Sequence, residues 1–197
     1  MAMIGKIRST TTMATDDMFE SGLARSIGAN SYFLWMAIKK HADYQTGQCW
    51  PGYRHLTEIT GLTAKTIKKF LDRLIEARLI RIAGKRGQQN VYVARERLDI
   101  TLGDRVVCTV VMDYVPEALR GNLKRLEESL KTGEHDPEVM SQVEIIPGPG
   151  FVYDQTSGTF RAEVPASQLP RRERDLQAEE RGQKILDDIR TKRLLKK

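Results

Sequence analysis

The chain has 197 residues, 40% of them hydrophobic and 29% charged, with a formal net charge of +6. This is an ordinary globular balance, with room for one domain or two small ones. No apolar run approaches the roughly 18 residues needed to span a bilayer, the N-terminus has no signal-like apolar stretch, and Cys49 and Cys108 are too few for a disulfide framework, so the expectation is a reduced, cytoplasmic protein without membrane contact.

Residues 1 to about 15 are rich in Ser, Thr and Met without periodicity and read as a disordered tail. Phe19, Leu23 and Ile27 share one face of a short helix. Asn30 or Ser31 can cap the next helix, in which Phe33, Leu34, Ala37, Ile38 and His41 recur at helical spacing as far as Asp43. Gln45-Thr46-Gly47-Gln48 reads as a turn. Pro51 suits the start of a helix that carries Leu56 and Ile59 inward and closes at Gly61. Thr63 is a good cap for the following helix, whose stripe is Ile67, Phe70, Leu71, Leu74 and Ile75. Leu79 to Ile82 and Val91 to Val93 then read as two strands around a polar, Gly-rich loop from Ala83 to Asn90.

The pattern changes after this point. Arg105 to Val115 is valine-rich and reads as one long strand. Pro116 opens an amphipathic helix with Leu119, Leu123, Leu126 and Leu130 on one side, and Thr132 to Gln142 reads as a polar connection. Val143 to Ile146 is a short strand, and Phe151-Val152-Tyr153 can pair with Thr159 to Val164 as a hairpin. From Arg171 onward charge dominates, and the reading is an exposed helix. The expected class is therefore α+β, in four parts. A tail over 1–15 precedes a winged helix-turn-helix over 16–97, a small α+β domain follows over 101–170, and a charged helical tail occupies 171–197.

Charge is concentrated rather than spread. Between Tyr53 and Asn90 lie Arg54, Lys65, Lys68, Lys69, Arg73, Arg78, Arg81, Lys85 and Arg86, opposed only by Glu58, Asp72 and Glu76. That excess of about six equals the net charge of the whole chain, while Thr101 to Pro170 is acidic by about five. A cationic field on one small module is what binding to phosphates requires.

The run from Leu56 to Ile67 carries the most specific signal. Gly61 can end one helix in the left-handed region while Thr63 starts the next, which lets two short helices cross sharply. At about 100° per residue, Lys65, Lys69 and Arg73 oppose the apolar stripe, with Thr66 and Lys68 at its margins. The N-terminal end of such a helix enters the major groove of DNA, so Lys65, Thr66 and Lys69 are the candidates for base or near-base contacts, and Thr63 at the cap is counted with the DNA-binding residues. Lys68 and Arg73 are the candidates for flanking phosphates, and Lys85 and Arg86, at the tip of the Gly84 to Gly87 loop, for backbone or minor-groove contacts.

Cys49-Trp50-Pro51, Leu56, Gly61, Thr63, Thr66-Ile67, Leu71, Leu74 and Leu79-Ile80 together resemble the winged helix-turn-helix domains of bacterial plasmid and phage proteins, over about residues 31–93. The resemblance implies a double-stranded DNA partner and a role as a transcriptional regulator, a replication initiator or a replisome organiser. It departs at Arg78, where such domains commonly have Gly before the first wing strand.

Other chemistries fit poorly. Cys49, Cys108, His41, His55 and His135 show no pair at a metal-ligand spacing, and no catalytic residues, metal or cofactor are expected. Gly84-Lys85-Arg86 lacks the ending of a phosphate-cradling loop. Trp50 reads as a packing residue at a helix junction. The reading favoured here is a sequence-specific, non-enzymatic DNA-binding regulator of a mobile element, homodimeric through the 101–170 domain. The alternatives are a replication initiator that meets replication machinery at origin repeats, and a winged helix used for protein interaction.

Overall fold

A computed structural model describes residues 12–103, 105–134, 136–154 and 159–163. Most of the expected N-terminal tail, the charged helical tail from Arg171 and the turn Gln155 to Gly158 lie outside the described residues.

The expected first helix is two. Gly22 takes φ +77° and separates α1 (Asp17–Glu20) from α2 (Leu23–Ile27). Leu23 and Ile27 are buried as expected, but the break turns Phe19 outward to 60% exposure. Helix α3 (Ala29–Lys40) is preceded by Gly28, so neither Asn30 nor Ser31 caps it. Both lie inside its first turn, and Ser31 is buried. Leu34, Trp35, Ala37 and Ile38 of α3 are buried, whereas Phe33 stays half-exposed. The turn at 43–48 is held by Asp43 Oδ1, which accepts from the backbone N–H of Gln45 at 3.1 Å and of Thr46 at 2.9 Å. Within it Gly47 has φ +68°, and a Cβ there would lie 2.4 Å from the Tyr114 carbonyl oxygen, so the close approach requires glycine.

β1 (Gln48–Cys49) leads into α4 (Tyr53–Thr60) and α5 (Ala64–Glu76). A hairpin follows, β2 (Ile80–Arg86) against β3 (Gln89–Leu102), paired from Ile80↔Ala94 to Arg86↔Gln89 with a one-residue register shift between Ile82 and Gly84. Both strands are longer than the sequence pattern suggested. The segment read as a polar loop is mostly strand, because its polar side chains stand on a solvent-exposed ribbon.

β3 continues past the wing. Its first half pairs with β1 and β2, and its second half pairs with β4 (Arg105–Asp113) from Arg95↔Asp113 to Leu102↔Arg105. One strand therefore runs through the stretch 97–101 at which the sequence suggested a boundary, and the following sheet grows directly from the wing. Helix α6 (Leu119–Thr132), the short α7 (Pro137–Met140) and β5 (Val143–Pro147) follow, with β5 paired to β4. β6 (Phe151–Asp154) and β7 (Thr159–Ala162) form the expected hairpin. Of the leucines on α6, Leu119 and Leu126 are buried, while Leu130 at the end is 53% exposed. The protein is α+β, with its helix-turn-helix on the N-terminal side.

A buried ion pair joins α3 to β3. Lys39 of α3 and Glu96 of β3 have fully buried side chains, and Lys39 Nζ donates to Glu96 Oε1 and to the Met13 carbonyl. The ammonium lies 4.3 Å from the Trp35 ring centre and 4.1 Å from that of Tyr114, a pair of cation–π contacts. Burial lowers the Lys39 pKa and raises that of Glu96, and each charge opposes part of the other's shift. Thr15 Oγ1 also donates to Glu96, at 3.5 Å, so residues 13 and 15 of the stretch read as disordered have definite partners here.

Candidate nucleic-acid interface

The recognition geometry starts at the α4–α5 corner. Gly61 takes φ +70° at the end of α4, a conformation that costs glycine little and others about 1 kcal/mol or more. Thr63 then stands in the extended region and its Oγ1 accepts from the Thr66 backbone N–H at 3.2 Å, the cap expected from the sequence. The two threonine hydroxyls are 2.9 Å apart. Leu56 of α4 and Ile67, Leu71 and Leu74 of α5 are buried in the core shared with Leu34 and Ile38. Phe70 is only partly buried and Ile75 is 36% exposed, so the stripe is narrower than the sequence suggested.

That packing fixes which way the cations face. Lys65, Lys68 and Lys69 are exposed, and none of them pairs with an acid among the described residues. Thr63 is exposed and Thr66 half-buried beside them. The outer face of α5 is not uniformly basic, because Asp72 and Glu76 are exposed on its C-terminal half. Positive charge is thus gathered on the N-terminal half, where the helix dipole adds to it.

Arg73 behaves differently from the lysines. It is exposed, but its Nη1 donates to the Ile27 carbonyl at 3.0 Å and so ties α5 to the end of α2. In the wing, Gly87 has φ +62° at the tip, and Lys85 and Arg86 stand on either side of an exposed ribbon. Lys85 has no ion pair among the described residues. The Arg86 guanidinium lies 4.2 Å from the Trp50 ring centre. Trp50 is 41% exposed and serves as a platform for the wing arginine, a role the packing expectation did not include. Its place three residues before α4 was the available signal.

The arginines at the root of the wing are neutralised by the following sheet. Arg81 Nε donates to Asp113 at 2.9 and 3.0 Å, and Arg78 pairs with Glu144. Arg95 reaches Glu144 at 2.8 Å and Asp113 at 3.4 Å. Arg78 also has φ +60°, so the arginine occupies the left-handed position that a glycine would take more easily. Cys49 and Cys108 are buried, and burial pushes their pKa values up to about 12 and about 11, so both stay protonated thiols.

Short helices crossing at a glycine corner, a capped outer helix with exposed lysines, and a two-stranded ribbon beyond it define a winged helix-turn-helix module, a class built to bind DNA. Residues 27–80, a segment that ends at the first residue of β2, match the family model described as a helix-turn-helix domain. No curated protein and no solved structure matches the chain. Among the described residues no helix is long and apolar enough to cross a membrane.

Proposed function

We propose that the chain binds double-stranded DNA sequence-specifically through the N-terminal half of α5, with the wing as a second contact, and that it regulates transcription by occluding or recruiting at its site. The supporting observation is the cluster of Lys65, Lys68 and Lys69, exposed on one helix end without an acid to neutralise it among the described residues. In this reading Lys65, Thr66 and Lys69, with the Thr63 hydroxyl, meet base edges, and Lys68 lies on a flanking phosphate. Lys85 follows the backbone beside α5, and Arg86, its guanidinium over the Trp50 ring, reaches the neighbouring groove. Arg73 contributes chiefly by bracing α5 against α2.

A single winged helix reads few base pairs, so useful specificity calls for two half-sites and a homodimer. Selection from random DNA followed by footprinting tests the reading. The expected outcome is a discrete motif protected as two half-sites centred about 10 bp, or a multiple of it, apart, at a promoter. Protection of iterated origin repeats with local melting would replace regulation with replication initiation. Selection that returns no enriched motif would overturn the sequence-specific reading.

A further inference from the structure

Sequence spacing offers no pair of metal ligands, yet the fold creates one. His41 ends α3 and His55 lies in the first turn of α4, and their Nε2 atoms are 3.3 Å apart. The rings meet edge to face with centres 4.8 Å apart. Both face a surface cavity of about 500 Å³ that Asp43, Gln48, Trp50 and Gln89 also line. The His55 side chain is 51% exposed, so solvent and solutes reach the pair.

From this geometry we infer that His41 and His55 form a two-imidazole site for a borderline divalent transition metal such as zinc. Two zinc–nitrogen bonds of about 2.0–2.1 Å at a tetrahedral angle span about 3.3 Å between the nitrogens, the separation found here. A carboxylate stands beside one of the two rings. Glu58 Oε2 lies 3.8 Å from His55 Nδ1, where a carboxylate favours the tautomer with a proton on Nδ1 and a free lone pair on Nε2. Without metal, one Nε2–H donates to the other Nε2. On binding, that proton moves to Nδ1 of the same ring, so two neutral imidazoles become two ligands with no net proton release. No group of three or more His, Cys, Asp or Glu side chains able to hold a metal gathers among the described residues, so the site would offer two protein ligands and leave its other positions to solvent. Occupation would pin the end of α3 to the start of α4 beneath the wing. The inference does not depend on the DNA reading.

The test is titration of the metal-free full-length chain with zinc chloride, followed by calorimetry and thermal unfolding. We expect one equivalent bound, and a melting midpoint raised by about 5–10 °C at a hundredfold excess over Kd. His41→Gln and His55→Gln should each weaken binding by about 100-fold, because the loss of one arm removes the chelate. Glu58→Gln should weaken it by up to about tenfold, and His135→Gln should leave it unchanged. Imidazole nitrogen resonances of the wild-type chain supply a second readout that needs no variant to fold, with zinc shifting two of the three histidines. Absence of binding, or binding that survives both His41→Gln and His55→Gln, would overturn the site and leave a hydrogen-bonded imidazole pair.

Discussion

Arg78, Arg81 and Arg95, at the root of the wing, each reach a carboxylate contributed by β4 or β5, whereas Lys65, Lys68 and Lys69 on α5 reach none among the described residues. The two sets lie in neighbouring parts of one module and carry the same unit charge. Their side chains differ in a way that matches their roles: the planar guanidinium fork suits fixed pairing with carboxylates, and the flexible ammonium suits a solvated, adaptable contact. A count of basic residues along the chain therefore overstates the field available to DNA. The part that remains is smaller and more sharply placed, at the N-terminal end of α5 and at the wing tip. Lys39 follows a third course, buried with Glu96, and belongs to the fold.

This division can be broken by substitution, with the largest effect expected at the buried cation. Lys39→Met leaves the Glu96 carboxylate buried without its partner and should cost about 3–5 kcal/mol in urea unfolding. Adding Glu96→Leu should recover most of that loss. If Lys39→Met were neutral, the pair would not be the join between α3 and β3 described here. Arg95→Ala comes next. Its side chain is 13% exposed and serves two carboxylates, so a loss of about 1–3 kcal/mol is expected with little change in DNA affinity. A large fall in affinity at full stability would move Arg95 into the DNA-facing set. Thr63→Ala should cost about 1 kcal/mol through loss of the cap, and Thr63→Ser should restore it.

The smallest effect is a pH dependence at His41. Its folded pKa lies below the ordinary histidine value of 6.5, because of burial first and then of His55 and Lys40. A depressed pKa means that the folded state resists protonation, so this stability is present above about pH 6.5 and is lost as pH falls through that value toward the folded pKa. The difference in unfolding free energy between wild type and His41→Gln, measured from pH 7.5 to pH 5, should decline in that direction. A flat difference would contradict the shift.

The parts of this architecture carried by local chemistry were legible in the sequence. Gly61, Thr63 and the stripe Ile67, Leu71 and Leu74 each act within a few residues of themselves, and the corner they predict is present. Long-range pairing was not legible. Nothing near Arg81 or Arg78 announces Asp113 or Glu144, which lie 32 and 66 residues away. Lys39 and Glu96 lie 57 residues apart, and only the sheet places them together. The length of β3 was hidden because Arg95, Glu96 and Arg97 interrupt the apolar alternation that marks a strand. Glu96 nonetheless faces the core in step with Tyr92 and Ala94, satisfied by Lys39 rather than by apolar contact. His41 and His55 were missed for the same reason, since they meet only when α3 and α4 cross.

The central claim is that the unpaired lysines, and not the paired arginines, make the DNA-binding field. Its most direct test compares the salt dependence of binding to one selected duplex for wild type, for Lys65→Ala/Lys69→Ala/Lys85→Ala, and for Arg81→Ala. Between about 50 and 300 mM salt, the lysine variant should show a log–log slope shallower by about two to three units, and Arg81→Ala should keep the wild-type slope. Equal slopes for wild type and the lysine variant, or a shallower slope for Arg81→Ala alone, would contradict it.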